Sequence, residues 1–264
     1  MNSTNSGSQT SAKNNSVTKT LSILSAFTET TPMLRTTDIA AMLGMNISTV
    51  SRHLNTLLDC GFLERDDDTG FYYPGLQIVS LAGITLQSND IYRHAFPELQ
   101  QLSYANKLYS HMSVPENTEI VHLICCCCKS SNEQLIPMGH RHPMYCSAMG
   151  RAMLAYMPSD KVSNILKNSN LDKMTADTKT EISEIEKELE KTKRLGYCSL
   201  QNELSNGAAS IAAPVFNRKR EPVAAISVST SLWRFNLPGS EDELAKSVMT
   251  AANKISGKLG YFPR

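Results

Sequence analysis

Apolar residues set the first division of the chain. Val17, Leu21, Leu24 and Phe27 recur at helical spacing, which predicts a first helix from about Ser16. Thr36 and Thr37 precede Asp38-Ile39-Ala40-Ala41-Met42-Leu43, a threonine cap followed by an acid in the first turn, and Gly44 stops that second helix. A third helix is predicted from about Ser48-Thr49, with Val50, Leu54, Leu57 and Leu58 facing a core and Gly61 ending it. Phe62 to Arg65, a turn at Asp66 to Gly70, and Phe71 to Pro74 then read as a β-hairpin. Helix, helix, tight glycine turn, helix and hairpin form a winged helix-turn-helix.

The period changes beyond Gly75. Leu76, Ile78, Val79, Leu81, Ile84 and Leu86 make a helical stripe, expected as a linker helix over 76–90 that could pair with a second subunit. A helix is expected from Ile91 to about Lys107, and strands at Tyr109–Val114, Glu119–Cys127 and Gln134–Met138. A helix should start at Ser147, another should cover Glu181 to Leu195, strands should lie at Ser210–Val215 and Val223–Thr230, and a last helix at Glu241–Leu259. Helices mixed with a mostly antiparallel sheet predict an α+β class. The expected organisation is a disordered polar tail over 1–15, a DNA-binding domain over 16–75, the linker helix, and a sensor domain over 91–264.

Composition narrows the function classes. The chain has 264 residues, 41% hydrophobic and 19% charged, with a net charge of +1. It is not a bulk polycation, so binding to nucleic acid must come from a local surface. No apolar run approaches the roughly 20 residues that span a bilayer, and no secretory signal opens the chain, so no membrane partner and a cytoplasmic location are expected. The solvent-facing residues of the third helix are Asn46, Ser48, Thr49, Ser51, Arg52 and Asn55. Arg52 can grip guanine and Asn55 can pair with adenine, while short hydroxyls suit phosphates or base edges. Arg35, Lys13 and Lys19 are expected near the DNA backbone. The count from Ser16 to Gly75 is four basic and seven acidic residues, a balance of −3. Phosphate neutralisation is therefore weak per copy, which calls for two copies on a double-stranded operator.

Three segments in order resemble one family, the IclR regulators of bacteria. "TTDIAAMLGMNISTVSRHLNTLLDCGFLERDDDTGFYYPG" is similar to its DNA-binding domain, "MGHRHPMYCSAMGRAML" to its most distinctive segment, and "RLGYCSLQNELSNGAASIAAPVFNRKREPVAAISVST" to its C-terminal signature. The resemblance implies a GAF-like effector domain, homodimers or homotetramers, and repression or activation of catabolic genes set by a small metabolite, often a carboxylate. Repression is the expected sign. Carried over by position, the effector contacts are Met138, Gly139, Cys146, Ser147, Ala148, Met149, Gly150, Glu203, Ala208, Ser210 and Ile211. Ser147 as a helix cap, followed by small residues with free N–H groups, would suit an anion. Leu200 and Gln201 stand where the family usually has acidic residues, which points to a different or less polar effector.

Two further clusters offer alternatives. Cys125-Cys126-Cys127-Cys128 lacks zinc spacing and reads as small apolar residues, with a redox sensor as the competing view. His140, His142 and Cys146 could hold a metal, or Cys146 with His142 could serve a thiol enzyme. The expectation is no metal, no cofactor and no catalysis.

Overall fold

The computed structural model describes residues 15–127 and 136–262; the polar tail expected over 1–15 lies, but for Asn15, outside them. The described chain divides into two compact units, one ending at Thr85 and the other beginning at Leu86.

In the first unit, α1 (Asn15–Ser25), α2 (Thr36–Leu43) and α3 (Ile47–Asp59) precede a two-stranded antiparallel wing, β1 (Leu63–Arg65) and β2 (Tyr72–Pro74). Ile23, Ile39, Val50, Leu54 and Leu63 fill its core. The stripe expected for α1 is displaced: Val17 and Leu21 are exposed, and Ile23 and Ala26 carry the burial. Thr36 does not cap α2. Arg35 occupies the cap position, and its backbone N–H donates to Asp38 Oδ2 at 2.8 Å. Gly44 closes α2 at φ +61, where a side chain would be strained. Leu34 pairs with Tyr72 through both backbone hydrogen bonds and so adds a one-residue bridge on the other side of β2. The helix α4 (Leu76–Gln87) follows directly, and none of its residues is buried within the described chain.

The second unit begins with α5 (Asp90–Asn106), capped by Asn89 Oδ1, which accepts from Ile91 N at 2.9 Å. Six strands follow among helices: β3 (Tyr109–Glu116), β4 (Glu119–Cys126), β5 (Arg141–Pro143), β6 (Cys198–Gln201), β7 (Ala208–Phe216) and β8 (Pro222–Ser231). Their order in the sheet is β5-β4-β3-β8-β7-β6, with every pairing antiparallel. The helices are α6 (Ala148–Leu154), α7 (Ser159–Asn168), α8 (Ile182–Leu195), α9 (Leu232–Phe235) and α10 (Ser240–Lys258). The α+β class and the antiparallel sheet are as expected. The strand expected at Gln134–Met138 is not: Gln134 and Leu135 lie outside the described residues, Ile136 to Met138 are not in a strand, and the strand beside β4 at that edge is β5.

Alternation splits the sheet residues between two cores. Met112, Ile124, Ile211, Val215 and Ile226 pack with α5 and α10 on one face. Ile120, Cys198, Leu200, Ala212 and Ala225 pack with Met149 and Met153 of α6 on the other. Paired residues of an antiparallel ladder share a face, so the register assigns every other side chain.

Candidate DNA interface and effector face

Helix α3 is amphipathic as expected. Val50, Leu54 and Leu57 are buried, Asn46, Ser48, Arg52 and Asn55 are exposed, and Thr49 and Ser51 are half-buried. His53 is also buried, and its Nδ1 lies 2.8 Å from Thr20 Oγ1 of α1, a tie that fixes the rotation of α3. Arg35 is exposed, with its guanidinium 4.5 Å from the centre of the Phe71 ring in the wing. Asp66 shapes the wing turn: Oδ1 accepts from Thr69 N at 2.7 Å and from Thr69 Oγ1 at 2.8 Å. Those hydrogen bonds hold its carboxyl below the usual range. One member of the Asp66-Asp67-Asp68 run is thus a turn-maker, and Asp67 and Asp68 remain exposed.

In the second unit, Ser147 caps α6 as expected. Its Oγ accepts from Gly150 N at 3.2 Å and donates to the Pro143 carbonyl at 2.8 Å. Gly150 has a packing role. A Cβ there would stand 2.4 Å from both Cα and O of Met144, so only glycine lets the helix lie on that backbone. Cys146, Ser147, Ala148, Met149 and Gly150 are all buried.

Four expected effector contacts are exposed, face the other core or are already engaged. Met138 and Gly139 are exposed on the stretch leading into β5. Ile211 points into the α5–α10 core, because its strand position is one residue out of phase with Ser210. Glu203 is buried but committed: its Oε1 accepts from Arg151 Nη1 at 2.8 Å and its Oε2 from Arg151 Nη2 at 2.6 Å. Arg151 is fully buried and also donates from Nε to the Tyr145 carbonyl at 2.5 Å. Lys179 adds a backbone N–H to Glu203 Oε2 at 3.1 Å. Ala208 and Ser210 do lie on the α6 face, and Ser210 Oγ is 2.9 Å from Ser229 Oγ.

The register gathers further polar residues on that face. Ser227 pairs with both Ala212 and His111, and Ser113 pairs with both Ala225 and His122. His142 pairs with Ile120. His142 stands between two other imidazoles, its Nδ1 3.0 Å from His122 Nε2 and its Nε2 3.0 Å from His140 Nε2. The His111 ring is edge-on to His122, with centres 5.8 Å apart. His111 and His122 are each 1% exposed. Burial, the largest cause, lowers His111 and His142 to about 4 and His122 to about 2, so these rings are neutral at neutral pH. Both ring nitrogens of His111, Nδ1 of His122 and Oγ of Ser113 are buried with no hydrogen-bond partner. Each such group costs about 1–3 kcal/mol while it stays unpaired.

The alternative chemistries are poorly served. Burial pushes the Cys146 thiol up to about 11, away from a nucleophilic thiolate. Cys125 and Cys126 are likewise pushed up to about 11 by burial; Cys127 is exposed, and Cys128 lies outside the described residues. Among the described residues no three His, Cys, Asp or Glu side chains converge as metal ligands. No helix there is long and apolar enough to cross a membrane.

Known proteins share this architecture. Residues 16–67 match the IclR helix-turn-helix domain, and residues 83–257 match the family described as bacterial transcriptional regulator IclR C-terminal. The HTH-type transcriptional regulator KdgR of Escherichia coli (strain K12) is 29% identical over 249 residues, covering 93% of each chain. A crystal structure of an IclR-type transcriptional regulator from Alicyclobacillus acidocaldarius superposes with TM-score 0.84 at 25% identity, covering 94% of this chain and all of the other. An IclR homologue from Microbacterium hydrocarbonoxydans, solved with 4-hydroxybenzoate, shares the fold at TM-score 0.81 and 21% identity, over 92% and 98% of the two chains.

Proposed function

The chain belongs to the IclR family of bacterial transcriptional regulators, and from that premise we propose that it represses a catabolic operon until a small-molecule effector binds the α6 face of its second unit. The observation that carries the DNA-binding half is α3. A helix entered by the tight Gly44 turn holds Asn46, Ser48, Arg52 and Asn55 in solvent, with an adjoining wing and the exposed Arg35. Arg52 would read guanine and Asn55 adenine in the major groove, while Ser48, Thr49, Ser51 and Arg35 would fix register on the backbone.

The effector half rests on the buried polar face between α6 and the sheet. A homologue with the same fold was solved with 4-hydroxybenzoate, which supports the idea of a small-molecule ligand. Ser147, Ala148, Ser210 and Ala208 would border it, and Glu203 would act through Arg151 as a support. Two copies would bind a two-fold symmetric operator, since the DNA-binding unit carries a balance of −3. The test is binding of the full chain to the DNA upstream of its own gene, with a promoter fusion to read the sign. Specific binding with derepression when the gene is deleted supports the proposal. Lower promoter output on deletion would reverse the sign, and affinity equal to that for random DNA would remove the proposal.

A further inference from the structure

We infer that the effector is an uncharged, hydroxyl-bearing molecule read by His111, His122 and Ser113. This inference rests on the effector-controlled reading above. Arg151 is the fully buried cation of the α6 face, and both of its Nη atoms are already spent on Glu203. Lys179 Nζ is 2.7 Å from Glu188 Oε1 and 3.7 Å from Glu203 Oε1, so its charge is shared between two carboxylates. Arg141, on the outer edge, is held by Glu116 and Glu119. A buried carboxylate ligand therefore meets no unpaired cation among the described residues, and burying an uncompensated charge is prohibitive.

What the face does offer is neutral and two-sided. A neutral imidazole carries one donor and one acceptor, and a serine hydroxyl carries both. His111 presents both nitrogens, His122 presents Nδ1, and Ser113 presents Oγ, four buried polar atoms without partners on one patch of β3 and β4. A hydroxyl also donates and accepts, so two or three adjacent hydroxyls would satisfy all four atoms without moving a proton. Ser227, paired with His111 in the register, and the Ser210–Ser229 pair continue the same neutral chemistry across β8 and β7. Leu200, paired with Ser210, adds an apolar wall in place of a charge.

A metal ion fits less well. His142 directs a different nitrogen to each neighbour, Nδ1 to His122 and Nε2 to His140, which makes a hydrogen-bonded relay and not a chelate. That relay fixes the tilt of His122 and leaves its Nδ1 for the ligand.

The experiment is thermal melting and calorimetry of the full chain with matched probes at millimolar concentration: xylose against xylonate, glucose against gluconate, myo-inositol, and zinc chloride. At least one uncharged probe should raise the melting temperature by several degrees, and its acid counterpart should bind at least about tenfold more weakly. His111→Leu and, separately, Ser113→Ala should lose that shift while keeping the wild-type affinity for operator DNA. Retained operator binding separates failure of this inference from failure of the regulator reading. Binding of acids alone, of zinc alone, or of none of the probes would overturn the inference, as would an unchanged sugar response in both variants.

Discussion

Arg151 and Glu203 meet as two parallel hydrogen bonds, 2.8 and 2.6 Å long, with the two side chains 0% and 6% exposed. They stand 52 residues apart in sequence and tie α6 to the segment after β6. Breaking such a pair leaves one buried charge alone. Glu203→Ala or Arg151→Ala should each cost about 3–5 kcal/mol, while Arg151→Met combined with Glu203→Leu should recover much of the loss. Urea unfolding of the three variants measures it. A loss in the double variant equal to the sum of the two single losses would show that the pair is not coupled.

Gly150 bears a packing load that no larger residue can take. Gly150→Ala places a methyl 2.4 Å from the Met144 backbone and should cost about 1–3 kcal/mol. Gly83, where nothing lies within 4 Å of an added Cβ, is the control. Gly83→Ala should leave stability unchanged or raise it, since alanine favours the helix.

The histidine face makes the fold acid-sensitive. His111 and His142 are lowered to about 4 by burial, whereas unfolded histidine titrates near 6.5. Between those values the unfolded chain binds more protons, so stability is full above about pH 6.5 and falls as pH drops toward 4. The slope is about 1.4 kcal/mol per pH unit for each such histidine. His111→Leu should flatten the curve in that window, as read by denaturation at a series of pH values. An identical slope in the variant would remove His111 from the account.

These particulars show what the sequence makes legible. The helical period of Val50, Leu54 and Leu57 and the glycine at position 44 suffice to place α3 and its polar side, because both signals are local. Ser147 as a cap is local too. The α6 face is not. Ser210 and Ile211 are neighbours in sequence on opposite faces of β7, so carrying both into one site conflicts with the strand period. His111, His122 and His142 come together only through the register of three strands, and Arg151 finds Glu203 across 52 residues. The spacing of Tyr109, His111 and Ser113 is the one local sign of a polar strand face. The first stripe, Val17 and Leu21, misleads because exposed apolar residues look like core ones in a helical pattern.

Those exposed residues bear on assembly. Leu76, Val79 and Ile84 of α4 are each more than 60% exposed in the single chain. An unpartnered apolar helix of this kind, with the acidic balance of the DNA-binding unit, predicts a dimer at micromolar concentration. Sedimentation equilibrium decides it. Val79→Lys should shift the protein toward monomer and weaken operator binding together, and a wild-type chain that stays monomeric while binding a half-site tightly would contradict the prediction.

The most direct measurement is a fluorescence anisotropy titration of the wild-type chain and Arg52→Ala against the DNA upstream of its gene and against a scrambled duplex, at two salt concentrations. The account predicts that the wild type prefers the upstream DNA by at least about a thousandfold. Arg52→Ala should lose about 1–3 kcal/mol on that DNA, with relaxed preference at one base pair and little change on the scrambled duplex. Equal wild-type affinity for the two duplexes, or an Arg52→Ala variant that binds as the wild type does, would contradict it.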